Sequence, residues 1–129
     1  MLNDPLSDVL SNIQNASKSS KSMCMARPIS TMIKKVLALM EENHYIGKPE
    51  YEENTRGGSA KITLIGRVNK CGAIKPRFSV QNESYEKFEK RFLPAKDFGF
   101  LVISTTKGIM THYEAKEKRI GGKLIAFVY

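Results

Sequence analysis

Cysteine is scarce in this 129-residue chain: Cys24 and Cys71 are the only two, without the paired CxxC spacing of a structural zinc site. Two are too few for a disulfide framework, so both read as free thiols, one of them in the core. Long apolar runs are missing as well, since Phe100–Ile103 and Leu124–Tyr129 fall far short of the ~20 residues of a membrane-spanning helix. The start, Met1 to Pro5, shows no basic segment leading into an apolar stretch and a small-residue cleavage site. The expectation is a soluble, cytoplasmic protein that has no membrane partner.

Catalytic machinery is equally thin. His44 and His112 are the only histidines, and neither has a second His or a Cys at ligand spacing, so both read as cap or surface residues and no metal is expected. Glu41, Glu42, Glu50, Glu52 and Glu53 cluster, but they follow a helix end and a strand face where charges meet solvent. Ser104 lacks a Gly-x-Ser-x-Gly elbow, and Gly57-Gly58 and Gly121-Gly122 lack the rest of a nucleotide-binding loop. The chain reads as a non-enzyme with no cofactor.

What the sequence has is positive charge. Lys and Arg number 21 against 13 acidic residues, a formal net charge of +8, and a bias of that size in a short chain points to a polyanionic partner. Acidic residues are missing altogether from Asn54 to Asn82, where Arg56, Lys61, Arg67, Lys70, Lys75 and Arg77 stand. A second acid-free span, Val9 to Met40, holds Lys18, Lys21, Arg27, Lys34 and Lys35. Any one of these reads as a solvated side chain; the uninterrupted set reads as a phosphate-facing surface.

Hydrophobic spacing gives the organisation. Asp4-Pro5 ahead of Leu6, Val9, Leu10 and Ile13 predicts a first helix ending near Ala16. Met23–Ala26 suits a short strand closed off by Arg27-Pro28, and Ser30 caps a second helix with its stripe on Ile33, Val36, Leu37 and Met40. An extended return through Tyr51, a turn at Arg56-Gly57-Gly58 and an alternating arm from Ala60 to Val68 complete an α-β-α-β-β half. Residues 69–72 break the pattern, and the junction is placed there. Beyond it come a polar helix from Glu83 to Phe92, a buried central strand from Phe98 to Ser104, a loop from Thr105 to Gly108, a Thr111-capped helix stopped by Gly121-Gly122, and a last strand from Lys123 to Tyr129. The fold class is α+β: an N-terminal sub-domain (1–68) packed on a C-terminal, mainly antiparallel β sub-domain with short helices (69–129).

The polar segment Ser104-Thr105-Thr106-Lys107-Gly108 suits an RNA backbone, because small hydroxyl side chains and a glycine permit close approach and a hydroxyl both donates and accepts. The start of the Thr111 helix just behind it would add outward N–H groups.

This same segment, continuing through Ile109-Met110 to Glu114-Ala115 and Gly121-Gly122, resembles the signature of the ribosomal protein S8 family of the small subunit. The opening from Asp4 to Ile13 and Asn15 and the turn Tyr45-Ile46-Gly47 are similar to that family too, and the likeness spans nearly the whole chain. Asn69 to Phe78 and the ending Ala126 to Tyr129 resemble the archaeal and eukaryotic branch more than the bacterial one, which favours an archaeal source. The resemblance implies a structural constituent of the small subunit that binds small-subunit ribosomal RNA directly, early in assembly, at the helix 21 region of the central domain. It puts Ser104, Thr105, Thr106 and Gly108 at the minor-groove side of the RNA, with Gly121 and Gly122 holding the adjacent backbone close. Lys18, Arg27 and Lys34 are assigned neighbouring phosphates. Bacterial members carry a glutamate where this chain has Lys123, and base stacking in the Lys70–Phe78 segment passes to Phe78. Neighbouring ribosomal proteins are implied partners, and some members of the family also bind their own messenger RNA. Two other readings stay open at this point: a regulatory RNA-binding module outside the ribosome, and a metal-dependent nuclease using the glutamates near Glu50.

Overall fold

Helical spacing of apolar residues builds both long helices of the first half. The computed structural model describes the chain apart from residues 1–4, 27–28, 53–57, 75–76, 82 and 96–97. Helix α1 (Pro5–Lys18) buries Leu6, Val9, Leu10, Ile13 and Ala16, one face at i, i+3, i+4, i+7 and i+10. The capping residue expected at Asp4 lies outside the described residues. Strand β1 (Met23–Ala26) leads to helix α2 (Thr31–Glu42), where the Ser30 hydroxyl accepts from the Ile33 N–H at 3.3 Å and the expected stripe is buried. Strands β2 (Glu50–Glu52) and β3 (Ser59–Thr63) pair antiparallel, and the sheet order is β1-β3-β2. The expected turn at Arg56-Gly57 falls outside the described residues. The arm expected to run to Val68 stops being a strand at Thr63. Only Leu64 continues it, as a single bridge to Ile46, before Gly66 turns with φ +75°.

The second half is a five-stranded antiparallel sheet. Strands β4 (Cys71–Ala73), β5 (Ser79–Val80), β6 (Phe100–Thr105), β7 (Gly108–Thr111) and β8 (Gly122–Val128) are arranged β4-β8-β6-β7, with β5 also on β8. Helices α3 (Tyr85–Phe92) and α4 (His112–Glu117) complete it. Phe100 to Ile103 are buried without interruption, as expected of a strand covered on both faces. Its core cluster includes Ile74, Val80, Tyr85, Phe88, Leu101, Ile103, Met110 and Leu124. By compactness the chain divides into two units, Met1–Cys71 and Gly72–Tyr129.

Three expectations need correction. Cys71-Gly72 does not break the chain into irregular structure but forms β4, with Ile74 N–H continuing onto the Ile125 carbonyl at 2.9 Å. Thr105–Gly108 is not a loop between strand and helix; it closes a hairpin, because Gly108 to Thr111 return as β7. Gly121-Gly122 does not stop the last helix, which ends four residues earlier.

The C-terminal ends of α1, α2 and α4 share one device, while α3 ends on an extended Leu93. After α1, Ser20 N–H donates to Ser17 C=O and Lys21 N–H to Ala16 C=O; after α2, His44 donates to Glu41 and Tyr45 to Met40; after α4, Arg119 donates to Lys116 and Ile120 to Ala115. Each is a Schellman closure, and Ser20, His44 and Arg119 adopt φ of 57°, 64° and 55°. A left-handed conformation costs an L side chain roughly 1–2 kcal/mol, part of which glycine gives back as unfolded-chain entropy. Ser20→Gly, His44→Gly and Arg119→Gly are each expected to raise stability by about 0.5–1 kcal/mol in urea titrations, and a loss at all three would contradict the assignment.

Candidate nucleic-acid interface

The β6–β7 hairpin is set by its turn chemistry. Thr105 pairs with Gly108 across a two-residue tip of Thr106 and Lys107. Neither tip residue has positive φ; the left-handed twist falls on Gly108, at φ +114°. A turn of ordinary hand followed by such a glycine matches hairpin strands to their right-handed twist. Space around Gly108 is open, so only backbone strain opposes a side chain there.

Thr105 locks the turn. Its hydroxyl donates to the Gly108 carbonyl at 2.8 Å and accepts from the Lys107 N–H at 3.2 Å. With its proton committed inside the hairpin, Thr105 is a positioning residue, while Thr106 and Lys107 are exposed at the tip. Gly108→Ala and Thr105→Val are each expected to cost about 1 kcal/mol by thermal denaturation. The two together should cost less than the sum, because either change alone opens the same turn.

Ser104 stands one residue before the turn and half-buried. It pairs with Ile109 on β7 and with Lys123 on β8, and Lys123 pairs in turn with Ser79 on β5. Cross-strand partners share a face, so Ser79, Lys123, Ser104 and Ile109 form one row beside the hairpin tip. Gly121 and Gly122 make this row possible. A Cβ on Gly122 would sit 2.3 Å from the Ser104 carbonyl oxygen, and one on Gly121 would sit 2.4 Å from that of Val80.

Of the residues expected at the site, Ser104, Thr105, Thr106, Lys107, Gly108, Gly121 and Gly122 are therefore at one end of one sheet. Arg77 is exposed two residues ahead of Ser79, and Lys70 is exposed just before β4. Lys18 is exposed in the last turn of α1; Lys34 is exposed on α2 with its ammonium 5.3 Å from the Tyr51 ring. Arg27 and Lys75 lie outside the described residues. Sequence reasoning passed over Ser79 and gave Lys123 no role; the alternation of the terminal strand back from Leu124 was the available signal for the second. The expected helix N-terminus behind the loop is not there, because β7 intervenes and the Thr111 hydroxyl accepts from the Glu114 N–H at 3.3 Å.

His112 corrects another expectation. Instead of a cap or surface position it is fully buried, its Nδ1 accepting from the Leu101 N–H at 2.9 Å. Its Nε2 lies 2.9 Å from Oε1 of Glu89, off the line of a good hydrogen bond, and Lys116 Nζ meets the same oxygen. Burial lowers the His112 pKa to about 4; Lys116 adds to that effect and Glu89 opposes it. The imidazole is accordingly neutral near pH 7. Cys71 is also buried, its thiol 3.2 Å from the Leu10 carbonyl and pushed up to about 12, chiefly by desolvation. Cys24 and Cys71 are free thiols.

Among the described residues no group of three or more His, Cys, Asp or Glu could hold a metal ion, and no helix is long and apolar enough to cross a membrane. Against known families, the model described as ribosomal protein S8 matches residues 4–129. The match takes in both units, the hairpin and the double glycine, and so the chain belongs to the ribosomal protein S8 family and is a small-subunit ribosomal protein that binds ribosomal RNA.

Proposed function

We propose that the hairpin end of the C-terminal sheet is the surface that grips small-subunit ribosomal RNA, at the helix 21 region of the central domain, and that this binding serves subunit assembly in the cytoplasm. The observation carrying this reading is the row of Ser104 and Lys123 beside an exposed Thr106-Lys107 tip, kept flush by two glycines that leave no side chain in the way. Structured RNA offers a shallow minor groove lined with 2′-hydroxyls, which small hydroxyl side chains reach and bulky ones do not. Ser104 and Thr106 read that surface, and Thr105 holds the turn. Lys107 and Lys123 take phosphates. An ammonium at 123 fits a phosphate, where a carboxylate would need a base donor instead, and this accords with an archaeal or eukaryotic type of chain. Lys18, Arg27, Lys34, Lys70, Lys75 and Arg77 supply the salt-dependent, sequence-independent share of affinity.

Binding to a central-domain RNA fragment tests this. Ser104→Ala and Thr106→Ala are each expected to lose about 1–2 kcal/mol through RNA partners left unpaired. Lys70→Ala should weaken binding to all RNAs alike and flatten the slope of log K against log salt by about one. Footprinting should protect one irregular stem. Unchanged affinity in both hydroxyl variants would remove the hairpin from the interface.

A further inference from the structure

The strongest feature the hairpin site leaves unused is a strip of aromatic rings that starts at Phe78, next to Ser79, and reaches Phe98 beyond the far end of β6, with Lys87 and Arg91 of α3 alongside. The Arg91 guanidinium lies between two rings, 4.9 Å from the centroid of Phe78 and 5.4 Å from that of Phe92. Phe92 continues to Phe127 (centroids 5.9 Å apart, planes 21° apart), and Phe127 to Tyr129 (6.1 Å, 25°). Phe98 closes the strip 6.3 Å from Tyr129 and is 47% exposed. Phe92, Phe127 and Tyr129 pack on the core by part of their surface and are half-buried.

Charge on α3 is sorted in the same direction. Glu86 pairs with Lys90 at 3.6 Å, and Glu89 is taken by Lys116 and His112. Among the described residues neither Lys87 nor Arg91 has a carboxylate partner. They are four apart, hence on one helix face, and both stand over rings, Lys87 at 6.0 Å from that of Phe88. The net positive charge of the helix therefore sits on its aromatic side.

We propose that this strip is a second RNA contact, one that takes unpaired, single-stranded ribonucleotides. Aromatic faces stack on any base, and adjacent cations follow the phosphates. Paired bases already cover one another's faces, so a duplex gains nothing from exposed rings. An Arg91 plane steadied between two rings keeps its N–H edge available to a phosphate, which suits a planar fork better than an ammonium. Aromatic rings and arginine suit a protein interface as well; what favours RNA is the positive charge of Lys87 and Arg91 beside the rings, which the described carboxylates leave unmatched and a polyanion takes. The proposal extends the RNA-binding reading without needing the hairpin.

The test uses the full chain at 150 mM salt with two labelled probes, a twelve-nucleotide single-stranded oligouridine and a duplex stem-loop from the central domain. Wild type is expected to bind the oligouridine, with Phe98→Leu and Arg91→Gln each weakening that binding about tenfold and changing stem affinity less than twofold. Both positions are exposed, and unchanged melting curves will confirm that the fold survives. Thr106→Ala should do the reverse, weakening only the stem. If Thr106→Ala spares the stem, the hairpin reading fails and this one stands. Absence of oligouridine binding by wild type, or unchanged binding by both strip variants, overturns the proposal. So does a Phe98→Leu variant that keeps RNA binding but no longer retains a ribosomal protein in reconstituted subunits.

Discussion

The Gly122→Ala variant is expected to lose about 3 kcal/mol or more of stability and, with it, most of its RNA affinity at physiological temperature. The added methyl would meet the Ser104 carbonyl oxygen at 2.3 Å, Ile103 Cγ2 at 2.8 Å and the Ser104 carbonyl carbon at 3.0 Å. Two of these three atoms are backbone, and that backbone is held from its far side by Ile109 on β7. Neither strand can yield alone, because β8 is held in turn by Val80 on β5. Relief requires parting β8 from β6 at their shared end, which adds lost ladder hydrogen bonds, each worth about 1 kcal/mol, to the overpacking itself. Ser104 would move with the backbone, so hairpin binding falls even in the fraction that stays folded. Gly108→Ala is the internal comparison, since it meets strain without a clash and costs only about 1 kcal/mol. Urea titration of both variants checks the ranking; equal losses would show that the close approach at Gly122 is relieved cheaply.

How far these features were legible depends on their range along the chain. The stripes of α1 and α2 and the apolar run of β6 repeat at local periods, and their expected apolar positions are buried except Phe98, which stands exposed ahead of a strand that begins at Phe100. Helix ends were harder, because Ser20, His44 and Arg119 take the left-handed position that sequence reasoning reserves for glycine. That is why the last helix seemed to run on to Gly121-Gly122. Strands β4, β5 and β7 span four residues or fewer, too short to show alternation, and the partner of β4 and β5, strand β8, lies far away in sequence. The residue types of the hairpin suggested RNA from their chemistry alone. That Gly122 lies against Ser104 did not follow, since pairing across eighteen residues leaves no local mark. His112 was misread for a related reason: one histidine beside a capping threonine looks like a surface residue until Leu101 and Glu89 arrive from other elements.

Acidification is expected to weaken the fold between about pH 6.5 and pH 4 because of His112. The imidazole has no access to water, and its Nδ1 lone pair is occupied by the Leu101 N–H. Protonation at Nδ1 would set two donors against each other in a dry site, and the Lys116 ammonium nearby makes a further positive charge still less favourable. Glu89 offsets part of this, without reversing it. The unfolded chain takes up the proton near 6.5 and the folded one only near 4. Stability from this group is thus complete above pH 6.5, declines as the pH falls through the interval, and levels off below it, with a total loss of about 3 kcal/mol. His112→Asn separates this from the other titrations. Asparagine places a carbonyl oxygen where Nδ1 stood, so the Leu101 N–H keeps an acceptor while nothing is left at the position to titrate. Its stability should follow wild type above pH 7 to within about 1 kcal/mol, allowing for the lost ring volume, and should fall less steeply between pH 6.5 and 4. His112→Ala removes the acceptor as well and should cost about 2–4 kcal/mol above pH 7, through the orphaned Leu101 N–H and the cavity left behind, a deficit that narrows toward pH 4 because alanine takes up no proton. Parallel pH profiles for wild type and His112→Asn would mean that the acid sensitivity arises elsewhere and that the buried imidazole is protonated as readily in the folded chain as in the unfolded one.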